Sequence, residues 1–144
     1  IAPHRKTILP LIHTGDGNRK EREEALKRVY QARLHITGGI RAMLAGQGNL
    51  ALQELKKGLR LNRNDAEAGY ALTDLAFSWG EEHLAQGMPD EAIALYKSIL
   101  ELRPDLAEVY YLLGGAFAAK GWEQEAAQAY QQALRLNPNL APTK

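Results

Sequence analysis

The chain has no cysteine, so disulfides and thiolate metal sites are both excluded, although this does not fix a compartment. It also lacks any apolar run near the roughly 18 residues that a membrane-spanning helix requires. The longest candidate near the start, Ile8-Leu9-Pro10-Leu11-Ile12, is short and interrupted by proline. No secretory leader pattern is present in the sequence. The expectation is a soluble segment, cytoplasmic or periplasmic, with no membrane insertion of its own. Because the sequence opens on Ile1, it is expected to be processed or cut from a larger chain.

Catalytic and cofactor patterns are missing as well. The four histidines, His4, His13, His35 and His83, form no HExxH or other helix-spaced ligand pair. His35 and His83 fall at positions expected to face a helix-packing interior, as hydrogen-bonded structural residues. There is no phosphate-cradling loop ending in Gly-Lys-Ser/Thr; Gly15-Asp16-Gly17 and Gly46-Gln47-Gly48 read as turns. Asp16-Gly17-Asn18 lacks the later ligands of a calcium loop. No nucleophile elbow or serine–lysine motif occurs. No catalytic residue, metal or cofactor is therefore expected, and the protein is not expected to be an enzyme.

Apolar content of 45% and charged content of 24% are ordinary for a globular domain of 144 residues. Net charge is +1, but it is unevenly spread. Residues 1–65 carry 13 Lys/Arg against 6 Asp/Glu, a net of +7, and residues 66–144 carry 5 against 11, a net of −6. A solvated surface accounts for this; the alternatives are head-to-tail association or an acidic partner at the basic end. Arg19, Lys20, Arg22, Lys27, Arg28, Arg33 and Arg41 cluster toward the start. Glu21, Glu23 and Glu24 interrupt them, with Glu23–Lys27 and Glu24–Arg28 in the favourable i,i+4 order. Nucleic-acid binding, which needs an unbroken basic face with stacking groups, is not favoured.

The informative feature is a repeat. Gly80, Gly87, Ala92, Tyr96, Leu102 and Pro104 recur 34 residues later as Gly114, Gly121, Ala126, Tyr130, Leu136 and Pro138. In the later copy, Val109, Tyr110, Leu113, Ala116 and Phe117 lie at helical spacing, and Lys120-Gly121 ends that helix. Ala126, Ala129, Tyr130, Ala133 and Leu134 define a second helix, stopped by Asn137-Pro138. The unit is two antiparallel helices of about 12–16 residues. Residues Tyr110, Leu113, Gly114, Phe117, Gly121, Ala126, Tyr130, Ala133 and Pro138 closely resemble the signature of the tetratricopeptide repeat family. In the earlier copy His83 replaces an aromatic and Ile99 an alanine. A weaker third copy, residues 32–65, keeps Gly39, Gly46, Ala51, Leu55, Leu59 and Leu61.

The first two copies are offset by 41 residues rather than 34, from Ala51 to Ala92. The extra segment, AEAGYAL at 66–72, favours helix. Seven residues add almost two turns, roughly 10.5 Å, and turn the face by only about 20°. The first helix of the middle repeat is therefore expected to run near Asp65–Gln86, capped by Asn64 or Asp65. Upstream, Ala25, Leu26, Val29, Tyr30 and Leu34 continue a helical pattern with Asn18 as its cap. This either extends the first repeat or forms a separate capping helix, with a bend permitted at Gly38-Gly39.

The expected architecture is an all-α superhelix of three helix-turn-helix repeats. An extended arm occupies 1–18 and the repeat domain 19–144, with units at 32–65, 66–106 and 107–140. The resemblance implies that the first helix of each repeat lines a concave wall. Its inward positions here are Arg33, Ile36, Ile40, Met43 and Leu44; Asp74, Phe77, Glu81, Leu84 and Ala85; and Glu108, Tyr111, Gly115, Ala118 and Ala119. The lysine and asparagine with which this family clamps a terminal carboxylate are missing, so that binding mode is not expected. The expected role is non-catalytic protein–protein recognition or assembly, with a peptide or helix held in an apolar groove anchored by Phe77 and Tyr111. Part of that surface could instead be covered by the Ile8–Ile12 arm. The alternatives are an accessory domain cut from a larger enzyme or membrane-associated protein, and a self-associating module. Self-association, giving a homo-oligomer, is suggested by an uncovered last repeat, where Ala127, Ala133 and Leu134 are expected to be partly exposed.

Overall fold

The computed structural model describes residues 16–140, and every regular element among them is helical. In chain order these are α1 (Asp16–Leu44), α2 (Gly48–Leu61), α3 (Ala66–Leu75), a π turn (Ala76–Gly80), α4 (Glu81–Ala85), α5 (Pro89–Leu102), α6 (Ala107–Ala119), α7 (Glu123–Leu136) and a 3-10 turn (Pro138–Leu140). They stack as three hairpins: α1 on α2, the α3–α4 helix on α5, and α6 on α7. The middle hairpin packs between the other two, with α1 and α2 against α3 on one side and α5 against α6 on the other.

Each hairpin turn closes in the same way. Gly46, Gly87 and Gly121 have φ of 78°, 74° and 80°, the left-handed conformation that ends a helix without a Cβ clash. The amide after each glycine then reaches back five residues. Gln47 donates to the Ala42 carbonyl at 2.8 Å, Met88 to His83 at 2.8 Å and Trp122 to Phe117 at 2.9 Å. Carbonyls that the helix end would otherwise leave unsatisfied are thereby paired.

The two helices of each hairpin touch where one of them has no side chain. A Cβ on Gly39 would lie 2.8 Å from Leu55 Cγ, and one on Gly114 2.7 Å from the Tyr130 ring; one on Gly80 would collide with the ring and hydroxyl of Tyr96. The partner is sixteen residues downstream in all three cases. Beside a smaller cluster of Ala42, Ala51 and Leu75, bridged to it by the partly buried Met43, Leu52 and Trp79, lies the main core around these contacts. Tyr96, Ile36, Leu55, Leu72, Ile99 and Val109 are fully buried within it.

The seven added residues extend the helix without forming a loop. Asp65 caps α3, accepting the Ala68 amide at 3.0 Å, and Leu75, Ala76, Gly80 and Glu81 all keep helical φ and ψ, so the chain is continuous from Ala66 to Ala85. The π turn within this helix has no counterpart in the 34-residue pattern. Thr73 and Ser78 hydroxyls donate to the carbonyls four residues back, Gly69 and Asp74, at 3.0 Å each. Such back-bonding competes with the helix ladder on either side of the wider turn.

Several expectations are corrected. α1 is one unbroken helix beginning at Asp16, so Asp16–Asn18 are helical rather than part of an extended arm. The rest of the arm, including Ile8–Ile12, lies outside the described residues. Glu24 pairs with Lys27 at 3.8 Å, three apart, rather than with Arg28. His35 is hydrogen-bonded, Nδ1 to Glu54 Oε1 at 2.8 Å, which holds the Glu54 carboxyl below its ordinary value. His83 is not: its buried Nδ1 has no partner, and its ring lies beside Trp79 with centroids 5.7 Å apart. Ala133 is fully buried within its hairpin, whereas Ala127 is exposed and Leu134 half-buried.

The two adjacent glycines of α6 make a sharp test. Gly114→Ala should cost about 1–3 kcal/mol by overpacking against Tyr130. At Gly115 the only nearby atom is the Tyr130 hydroxyl at 3.8 Å, an ordinary contact. Gly115→Ala should therefore stabilise the helix by about 0.5–1 kcal/mol. Urea unfolding of both variants decides, and equal effects would refute the close approach.

Tyr96 offers a second test. Its hydroxyl is buried without a hydrogen-bond partner, and desolvation, assisted by the Glu81 charge, pushes its pKa up to about 12. A raised folded value means that the tyrosine contribution is fully present below the unfolded pKa of about 10 and is lost as pH rises toward the folded value. Urea unfolding of wild type and Tyr96→Phe should give a constant stability difference up to about pH 10, moving against wild type above it. A difference that does not change with pH over this range would contradict the burial.

Candidate functional site

The α3–α4 helix presents one continuous stripe to solvent. Glu67, Tyr70, Asp74, Phe77 and Glu81 follow at steps of three and four, and all five are exposed. Tyr70 is 75% exposed and Phe77 46% exposed, far more than isolated aromatics on a packed helix need to be. Asp65 sets the start of this helix by capping it, and the π turn carries Phe77.

Two hollows flank the stripe and share Tyr70 and Asp74. One, of about 190 Å³, is walled by Ile40 and Met43 of α1 together with Glu67 and Ala71. The other, of about 450 Å³, is bounded by Ala66, Gly69 and Thr73, and across it by Arg103, Leu106 and Glu108. The first is mainly apolar with acidic edges. The second is large enough for several side chains and mixes polar and apolar walls.

Asp65, nearly buried, ties these walls together. Besides capping α3 it accepts Arg33 Nη1 from α1 at 2.6 Å, and its backbone carbonyl accepts Arg103 Nη1 from beyond α5 at 2.9 Å. Arg33 also pairs with Glu67. These carboxylates raise the Arg33 pKa, Glu67 contributing most and Asp65 next. Arg103 makes a fork to Asp105, Nε and Nη2 each at 2.9 Å, which raises its own pKa and lowers that of Asp105. Gly69 leaves room for this guanidinium; a Cβ there would lie 3.1 Å from Nη1.

The structure distributes the sequence-predicted residues unevenly. Ile40, Met43, Asp74 and Glu108 line the two hollows, and Phe77 and Glu81 continue the stripe between them. Arg33 is half-buried and already neutralised. Ile36 is fully buried in the core against Gly58 and has no surface to offer a partner. Leu44 is 79% exposed and, with Met43, borders a separate hollow of about 250 Å³ beside Trp79 and Glu82. Leu84 is half-buried, Ala85, Ala118 and Ala119 are exposed, and Gly115 is partly covered. Tyr111 lies against Tyr130, ring centroids 5.2 Å apart.

Tyr70 and Arg103 were missed, and Asp65 was read only as a helix cap. Tyr70 stands in the seven-residue extension, outside the 34-residue frame, yet it is two turns before Phe77, and that spacing was a readable signal. Nothing local marked Arg103 as a partner of Asp65, which lies 38 residues away. Among the described residues no group of three or more His, Cys, Asp or Glu is placed to hold a metal ion, and no helix is long and apolar enough to cross a membrane.

Removing the Asp65 carboxylate should loosen the wall. Asp65→Ala is expected to cost about 2–4 kcal/mol through loss of the cap and a charge-assisted bond, and Asp65→Asn to recover part of that as a cap alone. Thermal and urea unfolding measure both, and a loss near the roughly 0.5 kcal/mol of an ordinary surface change would remove Asp65 from this role.

One family model agrees with the hairpin geometry over the later part of the chain. The Tetratricopeptide repeat family model matches residues 77–141. No curated protein matches the sequence. Among solved structures, one titled as the crystal structure of MamA is 23% identical, with a TM-score of 0.43 over 96% of this chain and 95% of that one. A second, of MamA protein, is 22% identical, with a TM-score of 0.42 over 96% and 89%. A MamA mutant is 23% identical, with a TM-score of 0.43 over 74% and 72%. The family match places tetratricopeptide repeats on residues 77–141, the stretch that holds the Gly80–Tyr96 and Gly114–Tyr130 contacts.

Proposed function

We propose that the protein is a non-catalytic recognition or assembly module that holds a peptide or helical segment of another protein along the α3–α4 stripe and its two hollows. The observation that carries this reading is the exposure of Tyr70 and Phe77 on a helix whose opposite face is fully buried. Two exposed aromatics two turns apart on one helical face, Tyr70 lining both hollows and Phe77 continuing the stripe, are what an interface uses as anchors. Ile40 and Met43 supply the aliphatic wall, and the unbranched thioether of Met43 can repack around different side chains. Tetratricopeptide repeats are protein-interaction units, which supports the same reading.

A second reading, self-association, is supported by α1. Leu26, Val29, Tyr30 and Leu34 form an apolar stripe on it and are 69%, 51%, 66% and 56% exposed. The accessory-domain reading, in which these repeats supply contacts to a larger enzyme or membrane-associated protein, uses the same groove and differs only in what else the full chain carries.

Affinity capture with crosslinking and mass spectrometry identifies the partner. With that partner, Tyr70→Ala/Phe77→Ala should weaken binding at least about tenfold, as loss of aromatic anchors does, and adding Tyr111→Ala, whose ring lies on Tyr130 outside both hollows, should weaken it little further. Circular dichroism and melting temperature should stay close to wild type, since none of the three is fully buried. Undiminished binding by the triple variant would rule the groove out.

A further inference from the structure

The charges facing the groove do not balance, and the imbalance specifies a partner. Among the described residues two cations border it, Arg33 and Arg103. Arg33 is committed to Asp65 and Glu67, and Arg103 to Asp105 and the Asp65 carbonyl. Asp74, Glu81 and Glu108 remain, and among the described residues no cation lies within ion-pair distance of any of them. The segment 66–106 as a whole carries eight carboxylates against Lys97 and Arg103 alone. Lys97 lies elsewhere, its ammonium 5.7 Å from the Phe117 ring.

These carboxylates alternate with aromatics. Along α3–α4 the order is Tyr70, Asp74, Phe77, Glu81, each step three or four residues, and Asp74 edges both hollows. Lysine and arginine fit such a surface in two ways. Their methylene stems can lie on Tyr70, Ile40 and Met43 while the charged head reaches a carboxylate. Their heads can also sit over an exposed aromatic face. An acidic partner would meet like charge at Asp74, Glu81 and Glu108.

We propose that the groove takes a basic amphipathic segment of a partner protein, its apolar side chains entering the Ile40–Met43–Ala71 hollow and its lysines or arginines meeting Asp74, Glu81 and Glu108. This rests on the groove reading above and adds the charge class of the occupant. It inverts the polarity of a clamp for a terminal carboxylate, whose lysine and asparagine this wall lacks.

The test uses the whole chain and two synthetic amphipathic peptides, one of leucine and lysine and one of leucine and glutamate, with binding read by fluorescence anisotropy. The leucine–lysine peptide should bind and weaken as salt rises, and the leucine–glutamate peptide should not bind. Asp74→Asn/Glu81→Gln/Glu108→Gln should lower affinity for the basic peptide by roughly tenfold or more. A control that removes the same charge elsewhere, Glu91→Gln/Glu101→Gln/Glu123→Gln, should change it by less than about twofold. Equal loss in the two triple variants, or binding of the acidic peptide, overturns the proposal. If Tyr70→Ala/Phe77→Ala weakens the basic peptide but the groove triple does not, the groove stands and its charge preference falls; if neither variant matters, both fall. Sedimentation velocity covers the remaining occupant. Should the chain assemble with itself, lose that assembly on Arg22→Glu/Lys27→Glu, and admit the basic peptide only then, the groove belongs to a second copy and the proposal is overturned.

Discussion

Three positions without a side chain set the geometry on which the whole stack depends. At Gly39, Gly80 and Gly114 one helix of a hairpin lets the other come close enough for Leu55, Tyr96 or Tyr130 to lie directly on its backbone. Close packing makes the contact unforgiving, because an interior at crystal-like density has no slack to absorb a methyl group. It also fixes how the two helices cross, and hence which faces they leave for the next hairpin. Buried alanines at 51, 92 and 126, one per hairpin, continue the same small-residue seam. A stack whose units bury so little apart gains its stability from neighbours, and the main core running through all three hairpins from Ile36 to Ala129 is the result.

The middle hairpin departs from this regularity, and the candidate site follows from the departure. Two added turns carry α3 past the standard start of a repeat, so Glu67 and Tyr70 reach beyond the place where the helix would ordinarily begin. Without them Ile40 and Met43 would have no facing wall, and Asp65 would not be positioned to meet Arg33 and Arg103 together. A nearly buried carboxylate is tolerated there because each of its demands is met: one oxygen takes an amide, the other a guanidinium. The ion pairs also remove the two cations that, among the described residues, border the groove from its charge balance, so one network serves both the stiffness of the wall and its sign.

Much of the fold was legible because its signals are local. The turn glycines, the apolar steps of three and four, and the lengthened helix capped by Asp65 are properties of short windows, and each appears in the structure as a helix or a turn. The π turn was not legible. It arises from hydroxyls competing for carbonyls and from where Trp79 and Gly80 must land against Gly48 and Tyr96, and the last of these is a long-range demand. His83 shows the same limit: its place in the repeat said that it would be covered, but whether its buried nitrogen would find a partner depended on tertiary surroundings that no short window contains. Within the site, a fixed repeat frame found Ile40, Met43, Asp74, Phe77 and Glu108 but put Ile36 on the wrong side of the helix and left out Tyr70, which lies in residues the frame does not count.

The uneven charge of the two halves acquires a physical meaning from this arrangement. A net of −6 over residues 66–144 would be only a colloidal property if its carboxylates were scattered over a convex surface. Asp74 and Glu108 instead line the hollows, where low-dielectric walls strengthen their field, and Glu81 follows Phe77 on the exposed stripe. Electrostatics of this kind select a partner and speed its approach, whereas the aromatics and the aliphatic hollow supply holding energy. The basic, apolar face of α1 has the complementary character in the same chain, with Arg22, Lys27 and Arg28 beside exposed Leu26, Val29 and Tyr30. A groove of this sign must therefore discriminate between a foreign basic segment and its own first helix, and the difference in affinity between those two occupants determines whether the protein acts as a receptor or as a building block.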